Sequence, residues 1–519
     1  MKGLSSMSEN NETKEISDRL LFKVKNVYDY AGKEKLLDAE RYAGEYIRFM
    51  NRAKTEREAV VYGIEKAEKN GFKSYQFGDK IERGGKYYYN NRGKSLFLFS
   101  IGTEDLEKDG IRISAAHIDS PRVDLKQHPL FEDGGMSYFK THYYGGIKKY
   151  QWTTIPLAIH GAIVKSDGSI LNISVGEDEG DPVFTITDLL PHLASEQMSQ
   201  TMSKAIKGEN LNVLIGSEPY PDKDAAERIK LNTMRLLNEK YGIVEDDFIS
   251  AELCAVPAGK ARYIGFDRSL IGAYGHDDRV CAYPEMTALF ECGGSPHTLL
   301  VILADKEETG SDGGTGMKND ILTDIIAAIS DSLGSNNAAV RAASSCLSAD
   351  VSAAFDPMYA EVYDSKNAAY INRGVVMNKY TGARGKSGTS DASAEFVGKI
   401  RSILDGAGII WQTAELGKVD AGGGGTVAAY IANHGIDTVD LGVPVLSMHA
   451  PFEAVSKLDL YMTHLALCAF NSNTERFFTV LCFSLQAVMS LKEELSDQSF
   501  VPCRLGWLWI HQSKNRIEL

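Results

Sequence analysis

The sequence predicts an α/β protein in which a mostly parallel central sheet is flanked by helices and interrupted by an inserted β-rich domain. Before residue 124 and after residue 266, apolar runs of strand length alternate with amphipathic helical segments, which is typical of parallel sheets. Between residues 125 and 265, short strand-like runs are separated by Gly, Asp and Asn turns. The change of pattern indicates a domain inserted into the main one.

The elements of the main domain follow one another in chain order. A helical pattern runs from Leu36 to Asn70, and the apolar strands SLFLFSIG and IRISAAHIDS come after it. After the insertion we predict a helix following Asp277, the strand TLLVILAD and the helix GMKNDILTDIIAAI. The strand CLSADVS, the helix DASAEFVGKIRSIL and the strand VDLGVPVLSMHA complete the series. Ligands of open α/β sheets bind at the carboxyl ends of such strands.

The insertion is predicted to contain the strands YFKTHYYGGI, IPLAIHGAIVK and ILNISVG and the charged helix DAAERIKLNTMRLLNEKYG. The chain is then divided as follows: a disordered tail over 1–15, a main domain over 16–124 and 266–470, the β-rich insertion over 125–265, and a C-terminal extension over 471–519. The main domain carries all of the candidate site residues. The extension has no predicted role.

Composition excludes several classes of protein. A chain of 519 residues can form two or three domains with a large core. Its net charge of −14 argues against binding to nucleic acid or to anionic membranes. We find neither a signal peptide nor an apolar run of about eighteen residues that would span a membrane. The seven cysteines are scattered without a CxxC pair, which argues against a disulfide framework or a thiolate zinc site and favours the cytoplasm.

Five segments containing acids and histidines occur along the chain in the order AAHIDSPR, YGHDDRV, ADKEETGS, LSADVSAAFD and VLSMHAPFE. Two histidines and several carboxylates suit two divalent metal ions, zinc first, with cobalt or manganese as alternatives. A pair of metals also needs a shared carboxylate and a spare glutamate that handles protons. The five segments supply one residue for each role, so the sequence predicts a two-metal hydrolase.

The first two segments provide a ligand and a bridge. His117 is predicted to bind one metal through a ring nitrogen, while Asp119 orients the imidazole. By itself, a His-x-Asp is more often a hydrogen-bonded surface pair. Asp277 is predicted to bridge two ions roughly 3.5–4 Å apart, and its neighbour Asp278 to cap the following helix.

The remaining segments complete the predicted site. Glu307 and Glu308 follow an apolar strand, where neighbouring side chains point in different directions, so one can hold a metal while the other faces water. A solvated acidic turn is the alternative. Asp350 and His449 end two further strands and are predicted as ligands. Nucleophilic catalysis has no comparable support, because the chain has no GxSxG and no cysteine in a nucleophile motif.

Two further acids near these segments receive minor roles. Asp356 is predicted to be structural, and Glu453 to be a surface residue or a support for the ligands. Neither is predicted to contact a metal.

Taken together, AHIDSPR, GHDDRVCAY, DKEETGSDG, SADVSAAFDP and LGVPVLSMH resemble the aspartyl and vacuolar aminopeptidase family of dinuclear zinc exopeptidases, over roughly residues 20–470. The resemblance implies a zinc-exopeptidase-like fold and hydrolysis of the N-terminal peptide bond of peptides with a free N-terminus, by a water that two metals activate. The residues it implies are the terminal ligands His117, Glu308, Asp350 and His449, the bridge Asp277 and the general base Glu307.

The resemblance also implies a homo-oligomer, a dodecamer assembled through the insertion, in which His192 reaches a neighbouring subunit's site. A deacylase or carboxypeptidase on the same metals, or a non-catalytic self-assembling shell protein, remain alternatives. The preferred N-terminal residue stays open as well. The loop carrying Lys379, Arg384 and Lys386 is either a solvated basic loop or a lining that favours acidic substrates.

Overall fold

Within residues 13–473, which the computed structural model describes, the largest sheet has nine strands. In spatial order they are Lys73–Ser74, Lys86–Asn91, Ser95–Ser100, Thr298–Ala304, Ile111–His117, Ser345–Ser348, Asp437–Gly442, Val375–Asn378 and Trp411–Thr413. The four strands from Thr298–Ala304 to Asp437–Gly442 are parallel. Antiparallel pairings occur on both sides of them. The sheet is therefore mixed, and the predicted parallel arrangement is restricted mainly to its centre.

Helices cover this sheet, and the structure corrects one of the predicted helices. The main-domain helices of eight or more residues are Lys33–Arg52, Glu56–Lys69, His276–Cys292, Ile321–Leu333, Ala394–Gly406 and Lys457–Ser472. The helical pattern predicted from Leu36 to Asn70 forms two helices and not one, because the chain leaves helical geometry at Ala53. Thr55 then starts a new helix with a capping box, in which its side chain and that of Glu58 bond to each other's backbone N–H.

The other predicted elements of the main domain are present within about five residues, but the segments CLSADVS and VDLGVPVLSMHA each divide between a strand of this sheet and a strand of another. SLFLFSIG forms the strand Ser95–Ser100, and IRISAAHIDS forms Ile111–His117, which ends at the predicted ligand His117. Their side chains are nearly all buried, as expected for central strands covered on both faces. The predicted tail over 1–15 lies outside the described residues except for 13–15, which are helical, as are the residues up to 20. The extension after 473 also lies outside them.

A second, antiparallel sheet of seven strands is formed within residues 122–257 of the described chain. Its spatial order is Ile170–Val175, Leu157–Val164, Ala251–Pro257, Arg122–Asp133, Met136–Tyr144, Val213–Gly216 and Thr185–Ile186. Helix Arg228–Tyr241 packs on it, and a separate apolar cluster that includes the fully buried Trp152 forms its core. This segment interrupts the main sheet in sequence, between the strands Ile111–His117 and Thr298–Ala304. Its treatment as an independent domain remains a prediction.

A small five-stranded sheet joins the segments that carry the predicted ligands. Its strands, in spatial order, are Arg262–Ile264, Leu270–Ala273, Glu453–Ser456, Pro444–Leu446 and Ser352–Ala353. Leu270–Ala273 leads into Asp277, Ser352–Ala353 follows Asp350, and the strand pair on either side of His449 lies between them. The small sheet therefore brings together three ligand segments that are far apart in sequence.

The beginning of helix His276–Cys292 is held in the core by the N-terminal helices. The hydroxyl of Tyr46 lies 2.7 Å from Nδ1 of His276, whose Nε2 lies 3.0 Å from the carbonyl of Ile271. Since a carbonyl only accepts, Nε2 donates and Tyr46 donates to Nδ1. Burial lowers the pKa of His276 to about 3, so the ring is neutral. Among the described residues, no helix has the length and apolar character needed to cross a membrane.

Candidate metal centre

The predicted ligands gather around the carboxylate of Asp277. Its Oδ1 lies 3.1 Å from Nε2 of His117, and its Oδ2 lies 3.1 Å from Nε2 of His449. Oε1 of Glu308 is 3.5 Å from the same His449 nitrogen. Each oxygen of Asp277 thus faces a different imidazole, which is the arrangement that a carboxylate shared between two cations requires.

Both imidazoles are oriented by backbone carbonyls. Nδ1 of His117 lies 3.0 Å from the carbonyl oxygen of Asp119, and Nδ1 of His449 lies 2.7 Å from that of Gly146. The Nδ1 atoms must therefore carry protons, and a neutral ring would present its Nε2 lone pair to carboxylate oxygens. Lone pairs that face each other in this way need a cation between them.

The pKa of His449 points to the same need for a cation. Burial lowers its pKa, but the carboxylates of Asp277 and Glu308 outweigh burial and raise it to about 10. Without an ion, a proton thus occupies the position between the ring and the acids. Oε1 of Glu308 is in addition buried without a hydrogen-bond partner. The donor set therefore fits a divalent metal ion.

Distances within the cluster also fit a metal. With zinc–nitrogen and zinc–oxygen bonds of about 2.1 Å, tetrahedral ligands lie about 3.4 Å apart, close to the separations of 3.1 and 3.5 Å observed here. Donor atoms of His117, Asp277 and Glu308 all lie within 4.8 Å of one another, and so do those of His117, Asp278 and Asp350. All five residues are candidate ligands by distance alone.

Hydrogen bonds distinguish the roles of the two adjacent aspartates. Oδ2 of Asp278 accepts the backbone N–H of His117 at 3.3 Å, so Asp278 does not cap the helix as predicted but supports the end of the Ile111–His117 strand. Asp277 instead directs both oxygens at imidazole nitrogens. Gly275, with φ of +74°, makes the turn before them, and a Cβ there would lie 1.5 Å from the buried guanidinium of Arg279.

Asp119 organises the turn that carries the two glutamates. Its carboxylate accepts the backbone N–H groups of Glu307 at 3.1 Å and Glu308 at 3.2 Å, and the hydroxyl of Tyr144 at 2.7 Å. Burial alone would raise the pKa of Asp119, but His117 and Tyr144 hold it below its ordinary value. The predicted contact between this carboxylate and the ring of His117 is present at 3.3 Å, although the backbone carbonyl is closer.

Glu307 differs from Glu308 in its position. Its Oε2 lies 3.9 Å from Nε2 of His117, and its side chain is 20% exposed, whereas that of Glu308 is 4% exposed. Glu307 belongs to neither of the two groups around His117 that could hold a metal. Burial raises its pKa, with His117 opposing and Asp277 adding to the effect. The two glutamates therefore have different surroundings, as the sequence predicted.

Glu453 has a larger role than the sequence predicted. The residue is buried, and its two oxygens accept the backbone N–H of Asp277 at 3.2 Å and of His449 at 2.7 Å. One carboxylate thus links two ligand segments that are more than 170 positions apart. Only its position four residues after His449 was visible in the sequence. The pairing of Glu453 with Ala273 in the small sheet gives it this role.

The second sheet also contributes to the centre, which the sequence did not show. Tyr144 ends the strand Met136–Tyr144 and contacts Asp119, and Gly146 follows the strand and contacts His449, as described above. Gly145 has a φ of +72°, and a Cβ there would lie 3.1 Å from Oε2 of Glu308. A cavity of about 750 Å³ adjoins these residues and Glu308.

The other predicted residues lie apart from this cluster. Asp356 accepts the backbone N–H of Met358 and caps a short 3₁₀ turn, in agreement with a structural role. His192 lies in the exposed turn Pro191–Leu193 of the second-sheet segment. Lys379 and Lys386 both contact Asp391 at 3.2 Å.

Comparisons with known proteins identify the family. The model of the family described as aminopeptidase I zinc metalloprotease (M18) matches residues 49–471. A probable M18 family aminopeptidase 1 of Clostridium acetobutylicum is 50% identical over 462 residues, covering 88% of this chain and 99% of the relative. That of Thermotoga maritima is 45% identical over 449 residues, covering 85% and 97%.

Solved structures agree with this result. The M18 aminopeptidase of Thermotoga maritima aligns with a TM-score of 0.82 at 44% identity, over 87% of this chain and all of that one. Aminopeptidase I of Clostridium acetobutylicum gives 0.81 at 46% identity, over 88% and 100%. The S. cerevisiae mApe1 dodecamer gives 0.69 at 22% identity, over 89% and 100%, which shows the fold alone. The chain belongs to the M18 family of zinc aminopeptidases, and the predicted metallo-aminopeptidase activity is confirmed.

Replacing Glu453 with glutamine should weaken metal binding. An amide has one oxygen, so it can accept only one of the two N–H groups, and its NH₂ would face the other. We expect a metal affinity about 10–100-fold lower, the usual effect of losing a partner that orients ligands, in a folded protein. Titration against a competing chelator measures the affinity, with the exposed Glu65→Gln as control. Unchanged affinity would show that the two ligand segments hold their positions without this carboxylate.

Proposed function

We propose that this aminopeptidase holds two divalent ions, zinc in the first place, and removes N-terminal residues from peptides with a free amino group. The observation that carries the proposal is the placement of Asp277, with one oxygen 3.1 Å from each of two imidazole nitrogens. Cobalt and manganese suit the same nitrogen and oxygen donors and remain alternatives.

The ligands divide into two sets that share Asp277. His117 and Asp350 belong to one ion, since their donor atoms lie in one group. Glu308 and His449 belong to the other, with 3.5 Å between them. Bound ions of this kind polarise a scissile carbonyl and lower the pKa of a water molecule toward neutrality. The protein supplies the positions, which Asp119 and Glu453 fix through backbone hydrogen bonds.

Glu307 is assigned as the general base. It lies at the edge of the cluster, near His117 but outside the ligand groups, and it remains partly accessible. A carboxylate in this place can take a proton from the attacking water at Oε2 and pass it to the nitrogen of the departing amine. Asp119 holds the turn of Glu307 and so acts as a positioning residue.

Charge at the centre favours a substrate with a free amino group. Four carboxylates, those of Asp277, Asp278, Glu308 and Asp350, are buried around the two histidines. A substrate amine can approach these oxygens as a donor, whereas an acylated nitrogen is a poorer partner and brings extra bulk. The cavity of about 750 Å³ next to Glu308 offers room for the rest of the substrate.

The basic loop is better explained as solvated than as a specificity element. Lys379 and Lys386 are each 3.2 Å from Asp391, and all three side chains are 43–46% exposed. Hydrogen bonds from Lys386 and Lys379 hold the pKa of Asp391 below its ordinary value. These two cations are therefore already compensated within the loop.

The second-sheet segment is proposed to mediate assembly into a homo-oligomer, with a dodecamer as the expected state. Between residues 183 and 202 it exposes large apolar side chains, which are Val183, Leu189, Leu190, Leu193, Met198 and Met202. A concentration of exposed apolar surface is typical of an interface between subunits. His192 lies among these residues, away from the Asp277 cluster of its own chain, so a catalytic role for it requires a second copy.

Substrate assays test the proposed activity against a deacylase or carboxypeptidase with the same metals. On a panel of aminoacyl chromogenic substrates, we expect cleavage that a chelator abolishes and added zinc, cobalt or manganese restores. The matched N-acetylated substrates should be cleaved at least about a hundredfold more slowly, because the amine contact is lost. Faster cleavage of the acetylated series would favour the deacylase, and no cleavage of any peptide would favour the shell protein.

The roles of the paired glutamates can be separated by amide substitution. Glu307→Gln keeps the shape but cannot accept a proton, so turnover should fall about 10²–10⁴-fold while metal content stays near wild type. Glu308→Gln should lose metal instead, because a neutral amide is a poorer ligand for a dication. Elemental analysis and kinetics of both purified variants measure this. Metal lost from the first and retained in the second would mean that the roles are reversed.

Charged substitutions in the exposed apolar segment test assembly. Leu193→Asp together with Met198→Asp should shift the protein to smaller particles, because a buried interface would have to desolvate two carboxylates. Analytical ultracentrifugation gives the size, and Met358→Asp, at an equally exposed site of the main domain, is the control. A wild-type protein that sediments as a monomer would contradict the proposal before any variant is made.

A further inference from the structure

A second cluster of metal-binding side chains lies at the other end of helix His276–Cys292. Asp277 is in the first turn of this helix, and Glu291 and Cys292 end it, about 20 Å farther along the axis at the usual rise per residue. The helix Lys457–Ser472 packs beside it and contributes His464 and Cys468, which are four residues apart and so share one face. The cluster is therefore separate from the Asp277 centre.

The donor atoms converge on the imidazole of His464. Its Nε2 lies 3.1 Å from Oε2 of Glu291 and 3.6 Å from Sγ of Cys468, and the three donor atoms are all within 4.8 Å of one another. The thiol of Cys292 donates to the backbone carbonyl of Cys468 at 3.8 Å. Oxygen, nitrogen and sulfur donors thus meet at one point between the two helices.

A hydrogen-bond chain sets the orientation of the ring. Nδ1 of His464 is 2.9 Å from the hydroxyl of Thr287, which also contacts the hydroxyl of Tyr42 at 2.7 Å and the carbonyl of Tyr283 at 3.1 Å. All of these contacts are satisfied together when Thr287 donates to the carbonyl and accepts from Tyr42 and from Nδ1. The Nε2 lone pair then faces Glu291 and Cys468, as the imidazoles face Asp277 at the first centre.

The distances correspond to a tetrahedral ion of zinc type. Zinc–sulfur bonds of about 2.3 Å and zinc–nitrogen bonds of about 2.05 Å give a nitrogen–sulfur edge of about 3.6 Å, and the nitrogen–oxygen edge is about 3.3 Å. The observed edges are 3.6 and 3.1 Å.

We propose that Glu291, His464 and Cys468 bind one divalent ion of the zinc class and so join the two helices. Glu291 and His464 are 173 positions apart, which is why no local motif in the sequence shows the site. The glutamate side chain is 67% exposed, so an ion can enter from solvent. Because the site lies away from the proposed catalytic residues, it stabilises the fold and does not take part in peptide hydrolysis.

Cobalt reports on this site selectively. Thiolate ligands give a Co²⁺ complex a charge-transfer band in the near ultraviolet, whereas the His and carboxylate ligands of the Asp277 centre do not. We therefore expect reduced wild-type protein titrated with Co²⁺ to bind one more ion than the catalytic centre holds, with this band. A stoichiometry limited to the catalytic ions, without the band, would overturn the proposal.

Variants test which residues produce the band. Cys468→Ser and His464→Gln should lose both the band and one equivalent of Co²⁺ while they keep peptidase activity, and Cys254→Ala, in the second sheet, should keep all three. Glu291→Gln changes an exposed side chain that the fold does not need, and it should lower the affinity for the extra ion by at least about tenfold. A band that survives Cys468→Ser, or an affinity unchanged in Glu291→Gln, would also refute the site.

Discussion

The metal centre depends on two buried carboxylates that do not belong to the proposed ligand set. Asp119 accepts the backbone N–H groups of Glu307 and Glu308, and Glu453 accepts those of Asp277 and His449. Hydrogen bonds from backbone N–H groups to an ionised carboxylate, such as that of Asp119, are stronger than bonds between neutral groups, and they leave little freedom to the segments they join. Four short segments from distant parts of the chain are thereby held at separations that a metal requires, although each segment alone is an irregular turn.

The three sheets bring together the segments that these hydrogen bonds join. Parallel central strands end at one edge, which places the segments of His117, Glu308 and Asp350 side by side. The small sheet adds the segments of Asp277 and His449 from the opposite direction. The second sheet closes the site with the hydroxyl of Tyr144 and the carbonyl of Gly146, so its position relative to the main sheet affects the orientation of a ligand imidazole.

Sequence reasoning found the proposed metal ligands better than the residues that hold them in place. His117 and Asp277 belong to the few residue types that bind metals. Their order along the chain can be read without knowing which strands pair. The supporting role of Glu453 depends on the register of Glu453–Ser456 against Leu270–Ala273, which no local pattern specifies. The break between helices Lys33–Arg52 and Glu56–Lys69 was also missed. Its capping signal at Thr55 is local, but the apolar periodicity continues across it.

The two clusters at the ends of helix His276–Cys292 differ in how strongly they need a bound ion. At the first, several carboxylates are buried together, and burial raises the pKa values of Asp350 and Glu308 well above their ordinary range. Buried like charges are costly unless a cation or protons neutralise them. At the second, the carboxylate of Glu291 is exposed to solvent, so an empty site leaves no group of buried like charges. Occupancy of the first centre is thus tied to the integrity of the site, whereas occupancy of the second follows metal availability and adds stability in proportion to it.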